Sequence, residues 1–95
     1  MHARVGFDEG PQISDPRNPA HAPWLACFTA WWRQILQLRH AEGREWFTIT
    51  PEFGPAPYMP LKGASPEPVG DAWEYNAWMR QYLLGEFGAV FSANV

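Results

Sequence analysis

All ten prolines of this 95-residue chain fall in two stretches, and these stretches decide where regular structure can form. The first covers residues 7–23 and the second covers residues 51–70. Proline lacks a backbone donor and clashes inside a helix, so both stretches are predicted to be loops. The rest predicts a strand at about 1–6, a helix at about 23–42, a strand at about 45–53 and a helix at about 71–84. This alternation indicates an α/β chain in which helical crossovers join parallel strands.

Both helices are predicted from apolar side chains that recur every three or four residues. In the first helix the stripe is Trp24, Phe28, Trp31, Ile35 and Leu38, widened by Leu25, Trp32 and Leu36. In the second helix it is Tyr75, Trp78, Met79, Tyr82 and Leu83. Asp71 and Glu74 have the spacing of a capping box at the start of the second helix. The two aromatic stripes are expected to face a core.

The second strand has one apolar face and one polar face. Phe47 and Ile49 point to one side, whereas Thr48, Thr50 and Glu52 point to the other. An open sheet covered by helices on both faces would be apolar on both, while the inner face of a barrel can turn polar near the C-terminal ends of its strands. Two strands are also too few for a self-sufficient parallel sheet. We therefore expect the chain to be incomplete on its own.

The second loop is unusually long and apolar. It carries Phe53, Tyr58, Met59 and Leu61, side chains that disordered linkers rarely contain. We predict that it packs down as an active-site loop at the mouth of a barrel. The alternative is a flexible proline-rich linker.

Composition removes several classes of function. A net charge of −3 with seven basic residues argues against nucleic-acid binding. The single cysteine, Cys27, excludes an internal disulfide and a cysteine-rich zinc site, and it favours a reducing, cytoplasmic location. No apolar run approaches the length of a membrane span, and the N-terminal residues lack a signal-peptide core, so no membrane association is expected.

Two segments of the sequence resemble adjacent strands of one protein family. The first segment reads His2-Ala3-Arg4-Val5-Gly6, followed by Glu9-Gly10-Pro11-Gln12 and Asp15-Pro16-Arg17. It resembles the seventh strand and following loop of sugar phosphate isomerase/epimerase-like proteins, in the xylose isomerase-like TIM-barrel superfamily. The eighth strand and its loop are similar to Thr50-Pro51-Glu52-Phe53-Gly54-Pro55 and Pro57-Tyr58-Met59-Pro60. The two helices are similar at Trp31-Trp32 and at Trp73-Glu74-Tyr75-Asn76-Ala77-Trp78-Met79, so the resemblance runs from about residue 2 to residue 84.

This resemblance implies that residues 1–95 are one partial domain, the C-terminal two βα units of a TIM (β/α)8 barrel. Such a barrel takes roughly 250 residues, so the chain is expected to be a C-terminal fragment of a longer enzyme. The implied substrate is a small sugar or sugar phosphate. The full-length protein is a candidate homo-oligomer.

The resemblance also implies a metal site. Members of the family hold one divalent ion between two Glu, one Asp and one His, and by motif the His corresponds to His2 and the last Glu to Glu52. An imidazole and a carboxylate suit Mn²⁺, Mg²⁺, Co²⁺ or Zn²⁺. The implied reaction is proton transfer next to a carbonyl through an enediolate, with Glu52 as the catalytic base. Arg4, Glu9 and Gln12 are candidate substrate-binding residues.

Other interpretations of these residues stay open. Glu52 could be a solvated loop carboxylate, His2 a residue at a frayed terminus, and Arg4 the partner of a carboxylate on another strand. Lys62 could touch an anionic substrate, although a solvated surface lysine fits as well. We expect a buried, inert thiol at Cys27 and surface positions for His21 and His40.

Two further functions also stay open. The same barrel supports dehydratases and endonuclease-type hydrolases, because a fold does not fix a reaction. A small non-catalytic interaction protein, docking through its Trp-rich stripes, is an alternative of another class.

Overall fold

Two helices and two short parallel strands make up the fold. The computed structural model describes residues 1–55, 57–59, 61–63, 67, 68 and 70–89. In chain order the elements are β1 (His2–Ala3), α1 (Ala22–Ala41), β2 (Thr50–Pro51) and α2 (Ala72–Phe87), with a 3-10 turn at Pro19–His21 leading into α1. The chain is therefore α/β with a β-α-β-α order, as the proline pattern predicts. Its membership of a barrel stays a prediction.

The sheet is formed by two strands of two residues each. His2 lies opposite Thr50 and Ala3 lies opposite Pro51 in parallel register. The backbone amide of Glu52 extends the ladder by donating to the carbonyl of Ala3 at 3.1 Å. Both strands are shorter than the predicted ranges, because a ladder needs a partner at every residue. On the β1 side the carbonyl of Val5 already accepts from the amide of Ile13 in the loop, at 2.8 Å.

Helix α1 buries a different face from the one that its main stripe predicts. The buried residues are Thr29, Trp32 and Leu36, whereas Trp31 is 52% exposed and Leu38 is 62% exposed. The second half of the stripe therefore lies outside the core of this chain, and its packing against a barrel stays a prediction. Because α1 is apolar around most of its circumference, periodicity alone does not select the core face.

The polar residue Thr29 lies on the buried face of α1, where its hydroxyl has two hydrogen-bond partners. The hydroxyl of Thr29 donates to the carbonyl of Leu25 at 2.6 Å and lies 2.6 Å from the hydroxyl of Tyr82 on α2. A buried hydroxyl with two partners avoids the desolvation penalty of an unsatisfied group. This pair also connects the two helices.

Helix α2 begins where the cap residue predicts and ends three residues later than expected. The side chain of Asp71 accepts from the amide of Trp73 at 2.9 Å, which satisfies one of the free donors of the first turn. The face that α2 buries is Tyr75, Met79, Leu83 and Phe87. Phe87 continues the i, i+4 spacing, and its burial explains why the helix extends to that residue.

The core is built from β1, both helices and both loops. Its members are Ala3, Val5, Ile13, Trp32, Leu36, Phe53, Met59, Tyr75, Met79, Leu83 and Phe87. Ile13 belongs to the first loop, and Phe53 and Met59 belong to the second. The described part of the second loop therefore packs down through these side chains, while Tyr58 and Leu61 remain 49% and 44% exposed.

Candidate functional site

Three predicted site residues meet at β1 and β2: His2 is the first residue of β1, while Arg4 and Glu52 follow the C-terminal ends of β1 and β2. Nδ1 of His2 contacts Oε2 of Glu52, and Nη1 of Arg4 lies 3.8 Å from Oε1 of the same carboxylate. The parallel register explains this meeting. Side chains alternate along a strand, so residues 2 and 4 point to one face of the sheet. Because His2 lies opposite Thr50, residues 50 and 52 point to the same face. The side chain of His2 is 73% exposed and that of Glu52 is 39% exposed, so the cluster is open to solvent.

Two side-chain amides fix the backbone immediately after Glu52. Asn76 of α2 accepts from the amide of Phe53 at 2.7 Å and donates to its carbonyl at 2.8 Å. Gln12 of the first loop accepts from the amide of Gly54 at 2.8 Å and donates to its carbonyl at 3.1 Å. Each amide therefore replaces a neighbouring strand by satisfying both backbone groups of one residue. The result is a rigid exit from β2, which holds Glu52 in place.

The guanidinium of Arg4 lies over an aromatic ring. Its central carbon lies 4.8 Å from the ring centroid of Tyr58. A turn fixes this ring, since the amides of Tyr58 and Met59 donate to the carbonyl of Pro55 at 3.0 and 3.2 Å. Met59, the next residue, is buried and anchors the turn to the core. Arg4 is thus held between an aromatic face and a carboxylate.

The two other predicted substrate-binding residues, Gln12 and Glu9, belong to the first loop. Gln12 is buried and Glu9 is exposed. Gln12 is only 2% exposed and its amide is bonded to Gly54, so it positions the loop, and its role in substrate binding stays a prediction. Glu9 is exposed in the turn that Phe7 and Gly10 close with hydrogen bonds of 3.0 and 3.2 Å. Within the described residues, the side chains that form ion pairs with Glu52 are His2 and Arg4.

The chemistry of His2 and Glu52 fits part of a divalent-metal site. An imidazole nitrogen and a carboxylate oxygen are both ligands of the first-row divalent ions. Catalytic metal sites use at least three protein ligands. Across the described residues, no group of three or more His, Cys, Asp or Glu side chains is arranged to hold an ion. The described residues therefore contain candidates for two of the four ligands that the resemblance implies.

A second polar cluster joins the first loop to α2. Arg17 donates to both carboxylate oxygens of Asp15 at 3.0 Å and to Glu74 at 2.6 Å, and its guanidinium lies 5.3 Å from the ring centroid of Tyr75. The hydrogen bond from the Arg17 side chain is the main cause that lowers the pKa of Asp15. Burial raises the pKa of the Tyr75 hydroxyl. Because each charge is paired, we interpret this cluster as structural.

The remaining candidate residues have ordinary environments. His21 is half-buried, with Nε2 2.9 Å from the hydroxyl of Ser14, which corrects its predicted surface position. Cys27 is half-buried and free, so it is less enclosed than expected. Lys62 is exposed and lies 3.9 Å from Glu67. None of the described helices is long and apolar enough to cross a membrane.

Sequence reasoning missed two residues that shape the site, Tyr58 and Asn76. Both occur in the segments that carry the resemblance, yet neither has a chemical signature that predicts its partner. Asn76 has one available signal, since a polar amide stands between the apolar positions of a helix that faces the core.

Comparison of the chain with protein-family models, with curated proteins and with solved structures finds no match. The family resemblance therefore stays a prediction, and the function is argued from the geometry of the cluster.

Proposed function

We propose that this chain contributes two adjacent βα units to a metal-dependent sugar or sugar-phosphate isomerase/epimerase-like barrel. In this proposal His2 and Glu52 are two ligands of one divalent ion, Mn²⁺, Mg²⁺, Co²⁺ or Zn²⁺, and further ligands come from other strands. The observation that carries the proposal is the contact of His2, the first residue of β1, with Glu52, which follows the last residue of the parallel strand β2. In parallel barrels active sites lie at the C-terminal ends of the strands, where Glu52 stands.

The chemistry of the cluster supports proton transfer next to a carbonyl group. A carboxylate on a rigid strand exit acts as a general base when the proton that it takes lies within hydrogen-bond reach. Glu52 meets the first requirement, because Asn76 and Gln12 fix the two residues that follow it. A bound divalent ion would polarise the carbonyl and stabilise the developing negative charge.

Open apolar surface also supports a place in a larger sheet. The polar face of β2 ends at the cluster, and Trp31, Trp46 and Trp73 are 52%, 75% and 83% exposed. Large exposed aromatic side chains indicate a surface that another element or partner covers.

The test is a titration of the 95-residue chain with Mn²⁺, followed by paramagnetic broadening of its amide NMR signals. We expect selective broadening at residues 2, 4 and 52, and we expect Glu52→Gln to abolish it. Glu42→Gln is the matched control, because Glu42 is an exposed carboxylate that accepts from Arg39 at 2.8 Å outside the cluster. Equal broadening of the wild-type chain and Glu52→Gln at these residues would remove both ligands from the proposal.

A second candidate function, an interaction protein without catalysis, is favoured by one observation. The same exposed tryptophans would form its docking surface. This function requires no metal, so selective Mn²⁺ broadening at the cluster would count against it. It also requires a chain that folds cooperatively without the rest of a barrel, whether it then docks on a partner or self-associates.

A further inference from the structure

We propose that Ser14 and His21 form a catalytic dyad that hydrolyses small carboxylic esters, with Ser14 as the nucleophile and His21 as the general base. This activity goes beyond the proposed function, because it uses no residue of the cluster around Glu52 and needs no metal ion. Both residues lie in the second half of the first loop, which leads into α1.

The hydroxyl of Ser14 lies within proton-transfer distance of an imidazole. Its oxygen is 2.9 Å from Nε2 of His21, and both residues are half-buried. A serine acts as a nucleophile when a base within about 2.6–3.2 Å takes its proton. In the tautomer that carries its proton on Nδ1, Nε2 of His21 accepts the hydrogen bond from the hydroxyl. The geometry therefore meets the first requirement of nucleophilic catalysis.

The backbone on both sides of the dyad is fixed. Ile13, the residue before Ser14, is buried, and its amide donates to the carbonyl of Val5 at 2.8 Å. His21 is the N-cap residue of α1, and its amide donates to the carbonyl of Asn18 at 2.9 Å. The dyad is thus anchored to the core at one end and to a helix at the other. Groups that are held in a reactive geometry lose less entropy when they react.

A fixed carboxylate lies close to the dyad. Asp15 accepts from the backbone amide of Arg17 at 2.8 Å and from two nitrogens of its side chain at 3.0 Å. The hydrogen bond from the Arg17 side chain is the main cause that lowers the pKa of Asp15, and the charge of His21 acts in the same direction. The carboxylate in turn stabilises the imidazolium that forms when His21 takes a proton.

The reaction that this dyad supports transfers an acyl group to the serine and then to water. The oxygen of Ser14 bonds to the carbonyl carbon of the ester while Nε2 of His21 takes the hydroxyl proton. The bond from that carbon to the leaving oxygen then breaks, and His21 gives its proton to this oxygen, so that an alcohol or a phenol departs. Water attacks the acylated serine, His21 moves the proton again, and a carboxylic acid is released.

The test is the reaction of the 95-residue chain with p-nitrophenyl acetate, whose acetyl group is small enough for a half-buried hydroxyl. Release of p-nitrophenolate is followed by absorbance, and the acetylated residue is located by peptide mass mapping. We expect turnover with an acetyl group on Ser14. Ser14→Ala and His21→Gln should each lower the rate of release at least about tenfold. Ser14→Cys keeps a nucleophile and should be acetylated at the same position.

The controls separate a built dyad from reactive surface groups. His40→Gln changes an exposed histidine of α1 outside the dyad and should leave the acetylation of Ser14 unchanged. Equal losses of rate in His21→Gln and His40→Gln would overturn the proposal, as would a wild-type chain that carries no acetyl group on Ser14. Circular dichroism identifies any variant that fails to fold. The acetylation site of the wild-type chain depends on no variant, so it decides the question in that case.

Discussion

At the scale of single residues, one hydroxyl group decides what can occupy position 70. A Cβ at Gly70 would lie 1.7 Å from the hydroxyl oxygen of Tyr75. The ring of Tyr75 is only 2% exposed and packs edge-on against Phe53, with centroids 6.2 Å apart. The guanidinium of Arg17 lies 5.3 Å from the centroid of the same ring, so the ring cannot move away from position 70 without disturbing these contacts.

We predict that Gly70→Ala lowers the free energy of unfolding by about 1–3 kcal/mol, measured by urea denaturation, because an added methyl group overpacks this position. Gly85→Ala is the matched control. Gly85 is an exposed residue of α2, and a Cβ there meets nothing within 4 Å. Alanine should stabilise this helix by about 0.5–1 kcal/mol. An unchanged midpoint for Gly70→Ala would show that Tyr75 is not held as described.

The residues of the site differ in how far sequence could predict them. The meeting of His2 and Glu52 follows from parallel strands and the alternation of side chains, so pattern and resemblance suffice. The bonds from Gln12 to Gly54 and from Asn76 to Phe53 join residues that are 42 and 23 positions apart. No local pattern encodes such a pairing, because it depends on how two loops and a helix pack.

At the scale of elements, Arg17 connects the first loop to α2. It holds both oxygens of Asp15 within the loop and the carboxylate of Glu74 in the first turn of the helix. Glu74 also suits the positive end of the helix dipole. The connection orients α2 and, through Asn76, the strand exit that holds Glu52.

This connection predicts a pH dependence of stability. Arg17 holds the pKa of Asp15 below its ordinary value of 3.8, so the unfolded chain binds the proton more readily than the folded chain. The stabilisation is present above about pH 4 and is lost as pH falls through the lower pKa of the folded state. Urea denaturation between about pH 5 and pH 2 should show the decline, and Arg17→Gln should reduce its slope. Arg39→Gln, at the end of α1, should leave this contribution unchanged; an equal effect of both variants would contradict the assignment to Asp15.

The sequence predicts that the helices and strands exist. It predicts only in part which helix faces are buried and how long each element is. Apolar spacing and the Asp71 cap identify both helices. The core face of α1 depends on a hydroxyl pair between Thr29 and Tyr82, which makes a polar position more buried than Trp31. The strands are short because hydrogen-bonded pairing, unlike side-chain alternation, requires a partner strand, and among the described residues the ladder of this sheet pairs His2 with Thr50 and Ala3 with Pro51.

At the scale of the whole molecule, the distribution of aromatic side chains is uneven. Trp32 is 5% exposed, while its neighbour Trp31 is 52% exposed. Trp31, Ile35 and Leu38 form an exposed stripe along α1, at the spacing by which one helix packs against another. Two parallel strands bury too little apolar surface to be stable on their own. The stripe is therefore expected to pack against a further element.

We predict that the chain, expressed alone, self-associates or binds the dye ANS, because no element among the described residues covers this stripe. Replacing Trp31 and Leu38 together by Lys should reduce dye binding and the sedimentation coefficient while leaving the helical signal intact, since both side chains are more than half exposed. Trp32→Lys is the matched control and should unfold the chain, because it places a charge in the core. A monomer that melts sharply and binds no dye would reject the place in a larger sheet and favour the interaction protein.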